Sequence, residues 1–79
     1  MAIFANEVMG REVVDSHNEK LGELNDIVID KFSGSVTQIV VKLEQNLDPT
    51  MLPWKHQDGN VIIPIDDVAR ISVKIHLAK

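Results

Sequence analysis

The 79-residue sequence contains no cysteine. That excludes a disulfide framework, cysteine-ligated zinc and thiol catalysis. Aromatic residues are nearly as scarce, with one Trp, two Phe and no Tyr. They are not interleaved with Arg or Lys as a base-stacking platform would require. Positive charge is in the minority, eight Lys and Arg against 12 Asp and Glu, for a net charge of −4. The cations are spread along the chain, so direct contact with nucleic acid is not expected. No apolar run approaches membrane-spanning length. The opening Met1-Ala2-Ile3-Phe4-Ala5-Asn6-Glu7 lacks the basic region and long apolar stretch of a leader. These features predict a cytoplasmic protein without membrane insertion.

The motifs of common chemistries are missing too. The four glycines form no Gly-x-Gly or Gly-Lys-Ser/Thr phosphate cradle. Ser16, Ser33, Ser35 and Ser72 lie in no nucleophile motif. His17, His56 and His76 are far apart in sequence, and no short His-x-His spacing exists. Adjacent Asp66 and Asp67 point apart on a turn, and Asp66 has a helix-capping role open to it. The expectation is therefore no catalytic residue, no cofactor and no metal, and so no enzyme.

What the sequence does carry is apolar content of 44 %, arranged with a period of two. The length allows one domain, residues 1–79. By surface scaling, a folded monomer of this mass exposes about 4,800 Å², against roughly 12,800 Å² unfolded. Ile71, Val73, Ile75 and Leu77 alternate with Ser72, Lys74, His76 and Ala78, which predicts one strand with four apolar residues on one face. Residues 36–43 read likewise through Ile39, Val41 and Leu43. Val61, Ile63 and Ile65 form a third set, in which Pro64 leaves one ladder position unpaired, at an edge or bulge. Residues 24–30 form a fourth, with Ile27 and Ile29 facing one way, and Val13-Val14 begins a short first strand.

Turn chemistry separates these runs. Residues 15–19 and Ser33-Gly34-Ser35 are breaks, and Asp58-Gly59 is the strongest hairpin signal. Residues 66–70 predict a single helical turn capped by Asp66. Gly10 and Gly22 predict a bulge or tight bend at the start of one strand and inside another. No stretch of ten residues carries a helical stripe. The fold expected is all-β: a small barrel of about six short strands, with one helical turn before the last strand.

Val8-Met9-Gly10-Arg11-Glu12-Val13-Val14-Asp15 is followed by Glu19-Lys20-Leu21-Gly22-Glu23-Leu24-Asn25-Asp26-Ile27-Val28-Ile29-Asp30. Gly34, the strand through Val40 and Val41, and Ile63-Pro64-Ile65-Asp66-Asp67-Val68 come next. In this order and spacing the chain resembles the PRC-barrel family over nearly its whole length. That family includes a photosynthetic reaction-centre subunit and the C-terminal domain of the ribosome-maturation factor RimM. Leu52-Pro53-Trp54-Lys55 and the ending Ala69-Arg70-Ile71-Ser72-Val73-Lys74-Ile75-His76-Leu77 are most similar to stand-alone archaeal members. Some of those are cell-division proteins that bind the membrane anchor of the FtsZ ring and act as dimers. The resemblance thus implies a non-catalytic adaptor, a homodimer whose partner is another cytosolic protein such as that anchor. The alternative it implies is an RNA-metabolism or ribosome-maturation accessory factor, similar to the barrel domain of RimM.

The apolar residues left over by the strand pattern are the candidates for contact with a partner. Met51, Leu52 and Trp54 follow a loop and precede a hairpin. Trp buries a large area with few rotamers, which favours it at interfaces. Trp54 therefore either anchors a dimer or partner interface or plugs one end of the barrel. Phe32 sits in a predicted turn, where an aromatic has no folding reason of its own; Phe4 is a weaker case of the same kind.

Overall fold

A computed structural model of the chain describes residues 3–79. Met1 and Ala2, on which part of the leader expectation falls, lie outside the described residues. A short helical turn, α1 (Ala5–Val8), leads into seven strands: β1 (Glu12–Val14), β2 (Lys20–Ile29), β3 (Val36–Leu43), β4 (Lys55–Gln57), β5 (Asn60–Pro64), β6 (Val68–Ile71) and β7 (Ile75–Leu77). Two 3₁₀ turns, Pro49–Met51 and Ile65–Asp67, complete the elements. All seven strands belong to one sheet in the order β4-β5-β3-β2-β1-β7-β6. All neighbours are antiparallel except β1 and β7, which run parallel, with Val13 opposite Ile75.

The all-β expectation holds, while the small barrel of about six strands is not confirmed, because the sheet is not closed. Among the described residues there are seven strands, and the two edge strands, β4 and β6, do not pair with each other. The sheet curls round its core and stops short of closing.

Period two explains the buried face. Ile39, Val41 and Leu43 of β3, Val61 and Ile63 of β5, and Ile75 and Leu77 of β7 are all buried. Ile39 stands opposite Ile63 and Val41 opposite Val61, so the apolar residues meet as cross-strand pairs. No polar or charged residue is buried among the described residues.

Several local expectations change. The strand expected through Ile71, Val73, Ile75 and Leu77 is broken into β6 and β7. The Ser72 amide and hydroxyl both donate to the Lys74 carbonyl, at 2.9 and 3.1 Å, and the Arg11 guanidinium donates to the Ser72 carbonyl. Those bonds turn the chain, so Ile75 and Leu77 go inward while Ile71 and Val73 stay outside. The helical turn is shorter and one residue earlier than expected, over Ile65–Asp67. Its N-cap position is Pro64, with no side-chain cap from Asp66, and Arg70 lies in β6. Pro64 itself ends β5, where the chain leaves the ladder for the turn.

β2 is longer than the alternation revealed, starting at Lys20. Its register slips between Leu24 and Asp26, so Asn25 is an extra residue and the apolar phase resets. Leu21 and Leu24 are buried, Ile27 is half-buried and Ile29 is exposed. Gly22 explains the start of the strand. A Cβ on Gly22 would lie 1.9 Å from the Lys42 carbonyl oxygen of β3. Only glycine allows the two backbones to come this close. At the Asp58-Gly59 hairpin both residues have positive φ, 54° and 82°, the geometry of a two-residue type I′ turn.

Gly22→Ala is expected to cost on the order of 3 kcal/mol, because backbone and not a flexible side chain must move. Gly34→Ala, at a positive φ with open space around it, should cost about 1 kcal/mol. Urea unfolding of the two variants measures the difference.

Candidate interaction surface

Trp54 and Asp67 are the residues immediately before the two edge strands. The indole is 9 % exposed and belongs to the core cluster. Its Nε1–H donates to Asp67 Oδ2 at 2.9 Å. Lys79 Nζ approaches the same oxygen at 3.6 Å, and the Asp67 carbonyl accepts the Ala78 amide at 2.7 Å. One aspartate thus fastens the β4 edge, the β6 edge and the C-terminal strand together. The sheet is joined by a side chain where a barrel would be joined by a ladder.

The four residues proposed for an interface do not come together. Trp54 fills the core, and Leu52 is half-buried and packed against it. Met51, on the 3₁₀ turn, is 81 % exposed, and Phe32, in the β2–β3 turn, is 95 % exposed. Both exposed side chains are displayed by well-held backbone. Asp48 caps the turn that carries Met51, its Oδ1 accepting the Thr50 amide at 3.0 Å and the Thr50 hydroxyl at 2.7 Å. These bonds, the hydroxyl's first, hold the Asp48 carboxyl below its ordinary pKa. Asp30 does similar work beside Phe32. Its Oδ1 accepts the Phe32 amide, its carbonyl accepts the Gly34 amide, and its own amide donates to Ser35.

Sequence reasoning missed the apolar surface at one end of the fold. Ile3, Ile27, Val36, Ile65, Ile71 and Ile75 are among eleven residues lining a partly open cleft of about 220 Å³, all of them Ala, Val, Leu or Ile. The alternation predicts Ile71 on the apolar face of one strand. The turn that frees it contains neither Gly nor Pro, so nothing in its composition gave it away.

The chemistry available elsewhere is limited. His17 lies in the first turn, His56 in β4 and His76 in β7. Among the described residues no group of three or more His, Cys, Asp or Glu could hold a metal ion. Asp66 is exposed, and Asp67 is engaged with Trp54. Among the described residues no helix is long and apolar enough to cross a membrane.

The family model of the PRC-barrel domain matches residues 1–77. The chain belongs to that family. No curated protein matches it closely enough to serve as a relative.

Trp54→Ala is expected to cost about 3–5 kcal/mol of stability, the range for a large buried aromatic. Trp54→Phe keeps much of the burial and loses the donor. A double-mutant cycle of Trp54→Phe with Asp67→Ala should return a coupling of about 1–2 kcal/mol, read from denaturant midpoints. Asp48 predicts a pH dependence. Its lowered pKa means its contribution is present above the unfolded carboxyl value and lost as pH falls through the folded one. Asp48→Asn should therefore lower the melting temperature at pH 7. The gap should close as the pH is taken well below about 4.

Proposed function

We propose that this PRC-barrel chain is a non-catalytic protein–protein adaptor, active in the cytoplasm as a homodimer. Its role in this reading is in archaeal cell division, where it binds the membrane anchor of the FtsZ ring. The observation that carries the adaptor reading is the family match across residues 1–77, because the family suggests a small interaction domain. The surface supports it. Apolar side chains that serve no core, Phe32 above all, are held outward on ordered turns, a geometry suited to contact with another protein. The finer assignment rests on the likeness to the stand-alone archaeal members carried by Leu52-Pro53-Trp54-Lys55 and the chain's ending.

Light scattering coupled to size exclusion tests the first claim. The expected result is a mass near twice 8.8 kDa at micromolar concentration, and a strict monomer at high concentration overturns it. Retention of the purified ring anchor on the immobilised chain tests the second. Co-sedimentation with ribosomal subunits, with no retention of the anchor, would replace the division role by the ribosome-maturation one.

A further inference from the structure

We propose that a second copy of this chain docks on the apolar end of the fold, each protomer's Phe32 ring filling the aliphatic cleft of the other. This rests on the homodimer reading above and assigns its contact surface.

Among the described residues, eight of the nine exposed large apolar side chains, all but Met51, come from three segments. These are the stretch before β1 (with Ile3 and Phe4), the end of β2 with its turn (with Ile29 and Phe32), and the β6–β7 turn (Ile71 and Val73). The three segments meet. Ile3, Ile27 and Ile71 line the same cleft, and Arg11 ties the stretch before β1 to Ser72. Exposed apolar area gathered on one end in this way marks an interaction site.

The cleft has the size and chemistry to receive a phenyl ring. At about 220 Å³ it exceeds the roughly 150 Å³ of an apolar cavity that stays dry and takes up benzene. Its lining offers no charge and no side-chain hydrogen bond, so it discriminates in favour of an apolar knob. Phe32 is such a knob, exposed in the β2–β3 turn four residues before Val36 of the cleft lining. Its turn is held by Asp30, so docking costs little backbone ordering. A knob and a cleft side by side on one surface make that surface self-complementary. Two copies related by a two-fold axis satisfy both contacts at once and close the assembly.

The exposed area agrees. The protomer exposes 5573 Å², several hundred Å² more than the about 4,800 Å² of a folded monomer of this mass. A standard interface takes about 800 Å² from each partner. Two other occupants fit less well. A peptide adding a strand to the free edge of β2 would find the Ile27 amide already bonded to the Asp26 carboxylate at 2.8 Å. A lipid surface would meet a chain of net charge −4, which anionic headgroups repel as a whole.

Three chains test the docking: the unsubstituted protein, Phe32→Ser, which removes the knob, and Ile71→Trp, which blocks the cleft. Dissociation constants are measured by sedimentation and folding by circular dichroism. Phe32 is exposed, so Phe32→Ser should melt as the parent does while its dimer weakens at least about 100-fold. Ile71→Trp should weaken it comparably. A mixture of the two should associate, because one knob and one open cleft survive in the heterodimer. A dimer unaffected by Phe32→Ser overturns the docking and leaves the homodimer reading standing. A mixture that stays monomeric overturns the reciprocal seating. An unsubstituted chain that is monomeric at several hundred micromolar overturns both readings, and binding of a peptide or of vesicles by that monomer would name the other occupant.

Discussion

The fold depends on one tie between the two ends of its sheet, the hydrogen bond from the Trp54 indole to Asp67. A seven-stranded sheet of strands mostly three to five residues long has two exposed edges and too little area to bury both faces. Curling solves the burial problem but leaves the edges facing each other unpaired. Trp54 and Asp67 stand at the residue just before each edge strand, so their bond fixes the curl where it would otherwise open. The indole also supplies bulk to a core otherwise made of Val, Ile and Leu. A single residue therefore contributes packing and closure together, and the carboxylate it reaches is shared with Lys79 and the C-terminal strand.

The same geometry explains why one end of the protein is open. β1 has three residues and β2 has ten. Among the described residues, the last backbone bonds on the β1 side join Leu24 to Gly10 and Arg11, so from residue 25 to 29 β2 is paired with β3 alone. The hairpin of β2 and β3 projects past the rest of the sheet, consistent with an outline of 34 × 25 × 20 Å. The aliphatic cleft is lined by residues of β2 and β3 together with the stretch before β1 and β6. The bulge at Asn25 lets Asp26 turn back onto the Ile27 amide. An apolar strand edge is thereby blunted against indiscriminate pairing, while the apolar side chains around it stay available.

Much of this was readable in the residues, and the parts that were not share a cause. β3 was legible from end to end because its alternation is uninterrupted and its partners supply matching apolar positions. Asp58-Gly59 was legible because positive φ has a compositional signature. The break between β6 and β7 was not. Ile71 and Val73 continue a perfect alternation, and only the bonds of Ser72 and Arg11 reverse the chain there. The phase of β2 was hidden by a bulge at an ordinary Asn. Trp54 and Phe32 were both picked out as unusual, yet their surroundings differ completely. Composition cannot tell an indole with an aspartate waiting for it thirteen residues on from a phenyl ring left almost fully exposed.

That contrast bears on what the small size means. With no disulfide and no metal cluster among the described residues, the chain relies on packing, and a chain of this length has little interior to pack. Its core takes the strand-borne aliphatics and one tryptophan, and leaves the hairpin's apolar end uncovered. Selection for a self-sufficient monomer would place polar residues at Ile29, Phe32 and Val73, where nothing in the fold requires apolar ones. In the proposed homodimer these side chains would place part of the hydrophobic driving force in association instead of folding. For an adaptor this has a use. In the proposed homodimer, covering that surface would link the stability of the subunit to its assembly, and concentration would set how much of the chain is paired.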